Sequence, residues 1–271
     1  MFMSGGSRGI GLAIAARAAQ DGAKVALVAK TAEPHPKLPG TIYTAAEEIE
    51  AAGGEALPIV GDIRDENAVA AAVQQTVERF GGIDLVVNNA SAINLAPMRD
   101  LPVKRFDLMQ QINARGTFVV TQACLEHLRE SDHAHVLTLS PPLSIDKRWL
   151  AGHSAYTLSK MGMSMITLGV AADEPGIGAN CLWPRTIIAT AAVQNLLGGD
   201  EAMARARTPE ILADAAHAIL VRDPSGCTGN TFLDDEVLAE AGITDLSGYS
   251  AAEGDLVLDI FVDGWPEGVP A

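Results

Sequence analysis

Ser4-Gly5-Gly6-Ser7-Arg8-Gly9-Ile10-Gly11 stands three residues from the start of the chain, and a helical run, Leu12 to Ala19, begins directly behind it. Glycines let a backbone turn sharply and come close to a pyrophosphate, while a new helix offers unpaired N–H groups and the positive end of its dipole. The spacing, Gly-x-x-x-Gly-x-Gly, marks a candidate dinucleotide turn between a strand and a helix. Only Met1 to Met3 precede it. The strand that feeds the turn is therefore predicted to be truncated, leaving ladder groups of its neighbours unpaired. Either the start lies upstream or the domain is weakened.

Downstream, short apolar runs alternate with longer stretches of helical period. The predicted strands are Lys24 to Ala29, Glu55 to Val60, Ile83 to Asn88, His135 to Ser140, Ala179 to Trp183 and Thr231 to Leu233. Between them, Asp65 to Phe80 sets Val69, Val73, Val77 and Phe80 on one helical face, and Gly81-Gly82 supplies a stop. A further helix is predicted from about Thr41 to Ala52. Right-handed crossovers turn this order into an α/β fold, a three-layer Rossmann-type doubly wound parallel sheet, with its ligand beyond the carboxyl ends of the strands.

The 271 residues are 48% hydrophobic and 20% charged, enough for one sizeable core. Aromatics are only 4%, so aliphatic side chains must do the packing. The predicted division is a dinucleotide-binding domain over 1–235 and an acidic tail over 236–271, whose one apolar block, Leu256 to Val262, packs on the body or on a neighbouring subunit. Two insertions interrupt the alternation. Glu33 to Gly40 carries Pro34, Pro36 and Pro39 and is expected to be extended; Thr186 to Arg207 is expected to be mostly helical, a lid over a pocket.

A net charge of −15 disfavours nucleic acid and anionic membranes as partners. No apolar run approaches the roughly 20 residues of a membrane span. Cys124, Cys181 and Cys227 are odd in number and far apart, which predicts reduced thiols and a cytoplasmic location. Neither they nor the six histidines show metal-like spacing, so no metal is expected.

The second strand ends Val28-Ala29-Lys30-Thr31, with no acid before Glu33 to accept from a ribose 2′-hydroxyl. Lys30, together with Arg8 in the glycine turn, would instead neutralise a 2′-phosphate, which predicts NADP as the cofactor. The catalytic signal is Tyr156-Thr157-Leu158-Ser159-Lys160. On a helix, residues four apart share a face, so the ammonium approaches the phenol and favours its phenolate. Tyr156 would then pass a proton to or from a substrate oxygen while the nicotinamide exchanges hydride.

From Met3 to Asp234 the chain resembles the short-chain dehydrogenase/reductase family, on the glycine turn, the Tyr156/Lys160 pair, Asp62, Asn88-Asn89-Ala90, Asn113 and Pro184. The resemblance implies that Asp62 contacts the adenine and that Asn89, Ala90 and Pro184 line the cofactor cleft. It implies too that Asn113 holds a water linked to Lys160, and that Lys160 binds the nicotinamide ribose. Members usually form dimers or tetramers through the helix bearing the tyrosine, so a homo-oligomer is expected. Lys30 to Lys37, Gly40 to Glu48, Ser140-Pro141-Pro142-Leu143 and Leu182 to Thr186 are similar to the hydroxysteroid dehydrogenase-like protein 2 subgroup. Animal members carry a sterol-carrier domain after the reductase; none follows here, and no lipid-carrier role is expected.

The chain also departs from the family. The usual catalytic serine falls on Leu143, leaving Ser140, Ser144 or neither to polarise the substrate oxygen. The usual Pro-Gly after the sixth strand is Pro184-Arg185, and Arg185 is expected to point to solvent. The sequence thus predicts an NADP-dependent oxidoreductase interconverting an alcohol and a carbonyl on a mainly apolar substrate. The alternatives are a cofactor-binding protein with impaired catalysis and an enone reductase, the latter disfavoured by the four-residue Tyr–Lys spacing.

Overall fold

The computed structural model describes residues 1–35, 38–196 and 198–265. Pro36 and Lys37 of the proline-bearing insertion, Leu197 of the expected lid and the last six tail residues lie outside them. The chain runs β1 (Phe2–Ser4), α1 (Gly9–Ala19), β2 (Lys24–Ala29), α2 (Ile42–Ala51), β3 (Glu55–Val60), α3 (Glu66–Phe80), β4 (Leu85–Asn88), α4 (Val103–Ile112) and α5 (Ala114–Leu128). It continues with β5 (His135–Leu139), α6 (Lys147–Leu150), α7 (Ser154–Asp173), β6 (Gly178–Trp183), α8 (Ala191–Leu196), α9 (Gly199–Ala204), α10 (Glu210–Leu220), β7 (Thr231–Leu233) and α11 (Asp234–Glu240).

The seven strands form one sheet in the order β3-β2-β1-β4-β5-β6-β7, and every adjacent pair is parallel. Successive strand residues point to opposite faces, and the core divides accordingly. Val25 and Leu27 pack with Ile14 of α1 and Ile49 of α2 on one side; Ala26 and Val28 pack with Val69 and Val73 of α3 and Val120 of α5 on the other. These are the three layers expected from the alternation.

The first strand is as short as the sequence implies, three residues, all buried. It nonetheless holds the central position, paired to both β2 and β4. The ladder is extended by one residue because the Met1 carbonyl accepts from Ala26 N–H at 2.9 Å and the terminal ammonium donates to the Lys24 carbonyl at 2.7 Å.

Local signals set the helix ends. Thr41 and Thr44 form a reciprocal capping box at α2, Asp65 caps α3, and Gly81, at φ 90°, ends α3 in the left-handed conformation open to glycine. Asp234, Asp235 and Glu236, which straddle the expected boundary between domain and acidic tail at 235/236, form the first turn of α11, where negative charge complements the dipole. Beyond α11 the chain returns across the strand ends. Val257 N–H donates to the Arg205 carbonyl and Asp259 N–H to that of Arg185, at 3.0 and 2.9 Å.

Candidate active site

The order of strands reverses between β1 and β4, and open α/β sheets bind ligands at that crevice. The glycine turn sits there. Gly5 and Gly6 have φ of 78° and 95°, and a Cβ on Gly5 would stand 2.7 Å from Asn89 Nδ2. The close approach is fastened by Asn89 Nδ2 donating to the Ser4 carbonyl at 3.4 Å and Ala90 N–H donating to Ser4 Oγ at 3.3 Å. The predicted residues Ser4 to Gly11, Asn89 and Ala90 are thus brought together.

No side chain caps α1. Arg8, at its N-cap position, donates instead to the carbonyls of Pro39 and Gly40 at 2.8 and 3.0 Å. The first-turn N–H groups, without a side-chain cap, remain available to an anion, and the glycines let the turn pack closely on Asn89, Met3 and Leu27. This fits the diphosphate of a nicotinamide dinucleotide. At the neighbouring strand ends, Lys30 Nζ lies 3.4 Å from Asp62 Oδ2, and Arg64 grips the same carboxylate at 2.6 Å. The Arg64 hydrogen bonds, helped by the charges of Lys30 and Arg64, hold the Asp62 carboxyl down to about 2 against a modest opposing burial. Arg64 was not singled out from sequence; an arginine two residues beyond a strand-end acid is its only signal there.

On the other side of the crevice, α7 carries Tyr156 and Lys160 one turn apart, 5% and 2% exposed. Lys160 Nζ donates to the Leu139 carbonyl at 2.5 Å and lies 4.9 Å from the centre of the Trp183 ring. Burial pushes its ammonium down to about 7. Burial also raises the Tyr156 phenol, and the Asp259 charge adds to the rise. This corrects the expectation of a lowered phenol: the ammonium is itself desolvated and committed to a backbone carbonyl. The Tyr156 hydroxyl has no hydrogen-bond partner among the described residues.

Asn113 is fully buried at the junction of α4 and α5. Its Oδ1 accepts from Ala92 N–H at 2.7 Å, and its Nδ2 donates to the Ala92 carbonyl and to Ser159 Oγ, each at 2.9 Å. The amide therefore joins the β4–α4 loop to α7. Ser140 is also fully buried, its hydroxyl beside the Cys181 thiol with no oxygen or nitrogen partner among the described residues. Ser144 Oγ accepts from Asp146 N–H at 3.2 Å in the following loop. Leu143 is exposed.

Pro184 is buried at the end of β6, and Arg185 behind it corrects the sequence reading. It is 4% exposed rather than solvated. Its guanidinium pairs with Asp235, donates to Glu236 Oε1 at 2.6 Å and reaches the Gly264 carbonyl at 2.6 Å. The acids that draw it inward come from α11, an element the composition did not disclose.

Two further residues of the site lie in the tail. Asp259 and Phe261 both approach Tyr156, the first through its charge and the second through a stacked ring, centroids 6.2 Å apart. The available signal was the lone acid inside the block Leu256 to Val262. All three cysteines are unpaired and buried, and no cluster of potential metal ligands occurs among the described residues.

A nucleotide seat at the strand reversal beside a Tyr/Lys pair on the crossover helix is the arrangement of short-chain dehydrogenases. Residues 1–199 match that family, described as short chain dehydrogenase, and the chain belongs to it. Its members are oxidoreductases that bind a nicotinamide cofactor and act on small molecules.

Among individual relatives, the chain is 53% identical to hydroxysteroid dehydrogenase-like protein 2 of Xenopus tropicalis and 50% identical to that of Homo sapiens. The alignments cover 98% and 99% of this chain but 64% of each relative, so the chain spans under two thirds of their length. Two solved structures are similar throughout. A putative dehydrogenase from Xanthomonas campestris has a TM-score of 0.94 at 56% identity, covering 97% of each chain. A short chain dehydrogenase from Mycobacterium thermoresistibile has a TM-score of 0.93 at 61% identity, covering 99% of this chain and 96% of that one.

Proposed function

We propose that the chain is an NADP-dependent oxidoreductase interconverting an alcohol and a carbonyl on a mainly apolar substrate. The observation that carries this reading is the Tyr156 hydroxyl, without a hydrogen-bond partner among the described residues, one helical turn from Lys160 and across the crevice from an uncapped, glycine-lined helix start. NADPH, when bound, supplies the hydride that reaches the carbonyl carbon, and NADP⁺ takes it back in the reverse direction. Tyr156 does the proton chemistry: burial keeps its phenol protonated, the form that donates to the oxygen as the carbonyl becomes an alcohol.

Lys160 would bind the nicotinamide ribose and Asn113 would serve the proton relay, its amide fixing the Ala92 loop relative to Ser159. Gly5, Gly6, Gly9 and Gly11 would admit the pyrophosphate; Ser4, Ser7, Ile10, Asn89, Ala90 and Pro184 would border it, and Asp62 would contact the adenine. Lys30 and Arg8, with Arg64 nearby, favour a 2′-phosphate. Exposed apolar side chains on α5 and α7 support a homo-oligomer. The unpaired cysteines suit a reducing, cytoplasmic compartment, and no helix among the described residues is long and apolar enough to cross a membrane.

One observation favours a second reading, a cofactor-binding protein without turnover: the hydroxyl of Ser140 is sealed in the core and position 143 is leucine. A single experiment separates the two. NADPH and NADH are titrated into the protein and into Tyr156→Phe, and both are assayed across ketones and aldehydes. The expected result is tighter NADPH than NADH binding, unchanged in the variant, with turnover falling by about 10²–10⁴. NADPH binding with no turnover by the parent would favour the second reading; a preference for NADH would overturn the cofactor assignment.

A further inference from the structure

The chain has only 3 Trp, 3 Tyr and 6 Phe, yet three of these rings gather around a fourth, Phe261. Trp149 and the His153 imidazole meet its ring edge-on at 5.9 and 6.0 Å, Trp183 obliquely at 5.8 Å, and Tyr156 is stacked on it at 24°. Phe261 is 4% exposed and has φ of 71°, the only positive value at a non-glycine among the described residues. Backbone strain of this kind persists only where surrounding structure imposes it, and it concentrates at ligand sites.

A residue that merely walls a pocket shows one face to the opening. Phe261 is instead the centre of the cage, and the rings around it include the proposed proton donor. The cage also has an unmet donor, since the Trp149 indole N–H is sealed from solvent without an acceptor among the described residues. The segment is held at several points: Asp259 N–H donates to the Arg185 carbonyl and Trp183 Nε1 to that of Ile260, each at 2.9 Å, Leu258 bridges to Thr186, and Arg185 reaches the Gly264 carbonyl beyond it.

We propose that Phe261 is a specificity-determining residue whose ring stands, as an internal occupant, where a planar apolar ring of the substrate binds. Substrates bearing such a ring beside the reacting carbonyl or alcohol carbon enter by displacing residues 258–262. This rests on the reading of Tyr156 as the acid/base. The exchange trades one ring for another, so the stacking on Tyr156 and the edge contacts are kept, while the strain at residue 261 is released. A ligand without a flat face leaves the cage unfilled and cannot repay the displacement.

The test is calorimetric binding of 2-acetonaphthone, a planar apolar ketone, and of cyclohexyl methyl ketone, which is not planar. Both are titrated into the parent, Phe261→Ala and Phe261→Leu, each saturated with the oxidised cofactor, NADP⁺ or, where only that binds, NAD⁺, so that no turnover occurs. Removing the internal ring is expected to tighten 2-acetonaphthone by about tenfold in Phe261→Ala, with a smaller gain in Phe261→Leu and little change for the cyclohexyl ketone. Unchanged or weaker naphthyl binding in both variants overturns the proposal, because a wall residue gives that result. Should the alanine variant lose cofactor binding through misfolding, the leucine variant decides. Tightening without reduction of any ketone by the parent supplied with the reduced cofactor would leave this inference standing and overturn the oxidoreductase reading.

Discussion

Asp259 shows how one tail residue changes the electrostatics of the site. Burial pushes its carboxyl up to about 8, the Asp234 charge adds to this, and Lys160 opposes it. With an unfolded value of about 3.9, the folded protein holds a proton that the unfolded chain releases between these limits, so stability falls as pH rises from about 4 to 8. Lys160, pushed down to about 7, acts in the opposite sense above that pH, so variant and parent must be compared at each pH. Asp259→Asn removes the carboxyl's penalty. Its Tm is expected to exceed the parent's by about 2–4 °C at pH 8, on the order of 1 kcal/mol, and to converge with it near pH 4. Thermal melts showing the variant equal or less stable at pH 8 would contradict this account. At this scale the sequence was legible where local spacing carries the chemistry, as in Tyr156/Lys160 and Ser4 to Gly11. It was silent where a partner arrives from far along the chain: Asp259 is 99 residues beyond Lys160, and no periodicity links them.

The α1 helix and the turn before it form a single close-packed element. A Cβ on Gly11 would come within 2.8 Å of the Gly6 Cα and run into the Asn89 amide. Backbone cannot move aside as a flexible side chain can, so Gly11→Ala is expected to cost ~1–3 kcal/mol of stability and to weaken NADPH binding with it. Urea unfolding and cofactor titration read the two effects; a variant with parental values in both would mean that α1 and the turn are not packed in this way. Caps and stops such as Thr41, Asp65 and Gly81 are short-range features, and the predicted boundaries of α2 and α3 fall within a residue of the observed ones. The α11 helix escaped because the chain from Glu236 onward reads as an acidic tail, and only Arg185, buried against Asp235 and Glu236, shows that the acids on both sides of that boundary belong to one helix.

Parallel order, right-handed crossovers and the ligand crevice follow from general rules of chain connection, so the architecture was readable before any contact was known. Quaternary structure is a different matter. On the packed pair α5 and α7, Phe118, Leu158 and Met165 are 48%, 58% and 64% exposed, and Leu158 and Met165, seven residues apart, share one helical face. Sedimentation is expected to give a dimer or larger assembly that Leu158→Glu dissociates toward monomer; a parental monomer at working concentration would overturn the homo-oligomer.

Arg185 fastens the end of β6, the first turn of α11 and the tail at Gly264, three segments remote from one another in sequence. The glycine usual for the family at this position is thereby closed to the chain as a single step. Reversion would leave the Asp235 carboxylate buried without its counter-ion and release the strap that crosses the crevice. Arginine, acid and tail have become an interdependent set, in which no member is free to drift unless the others change with it.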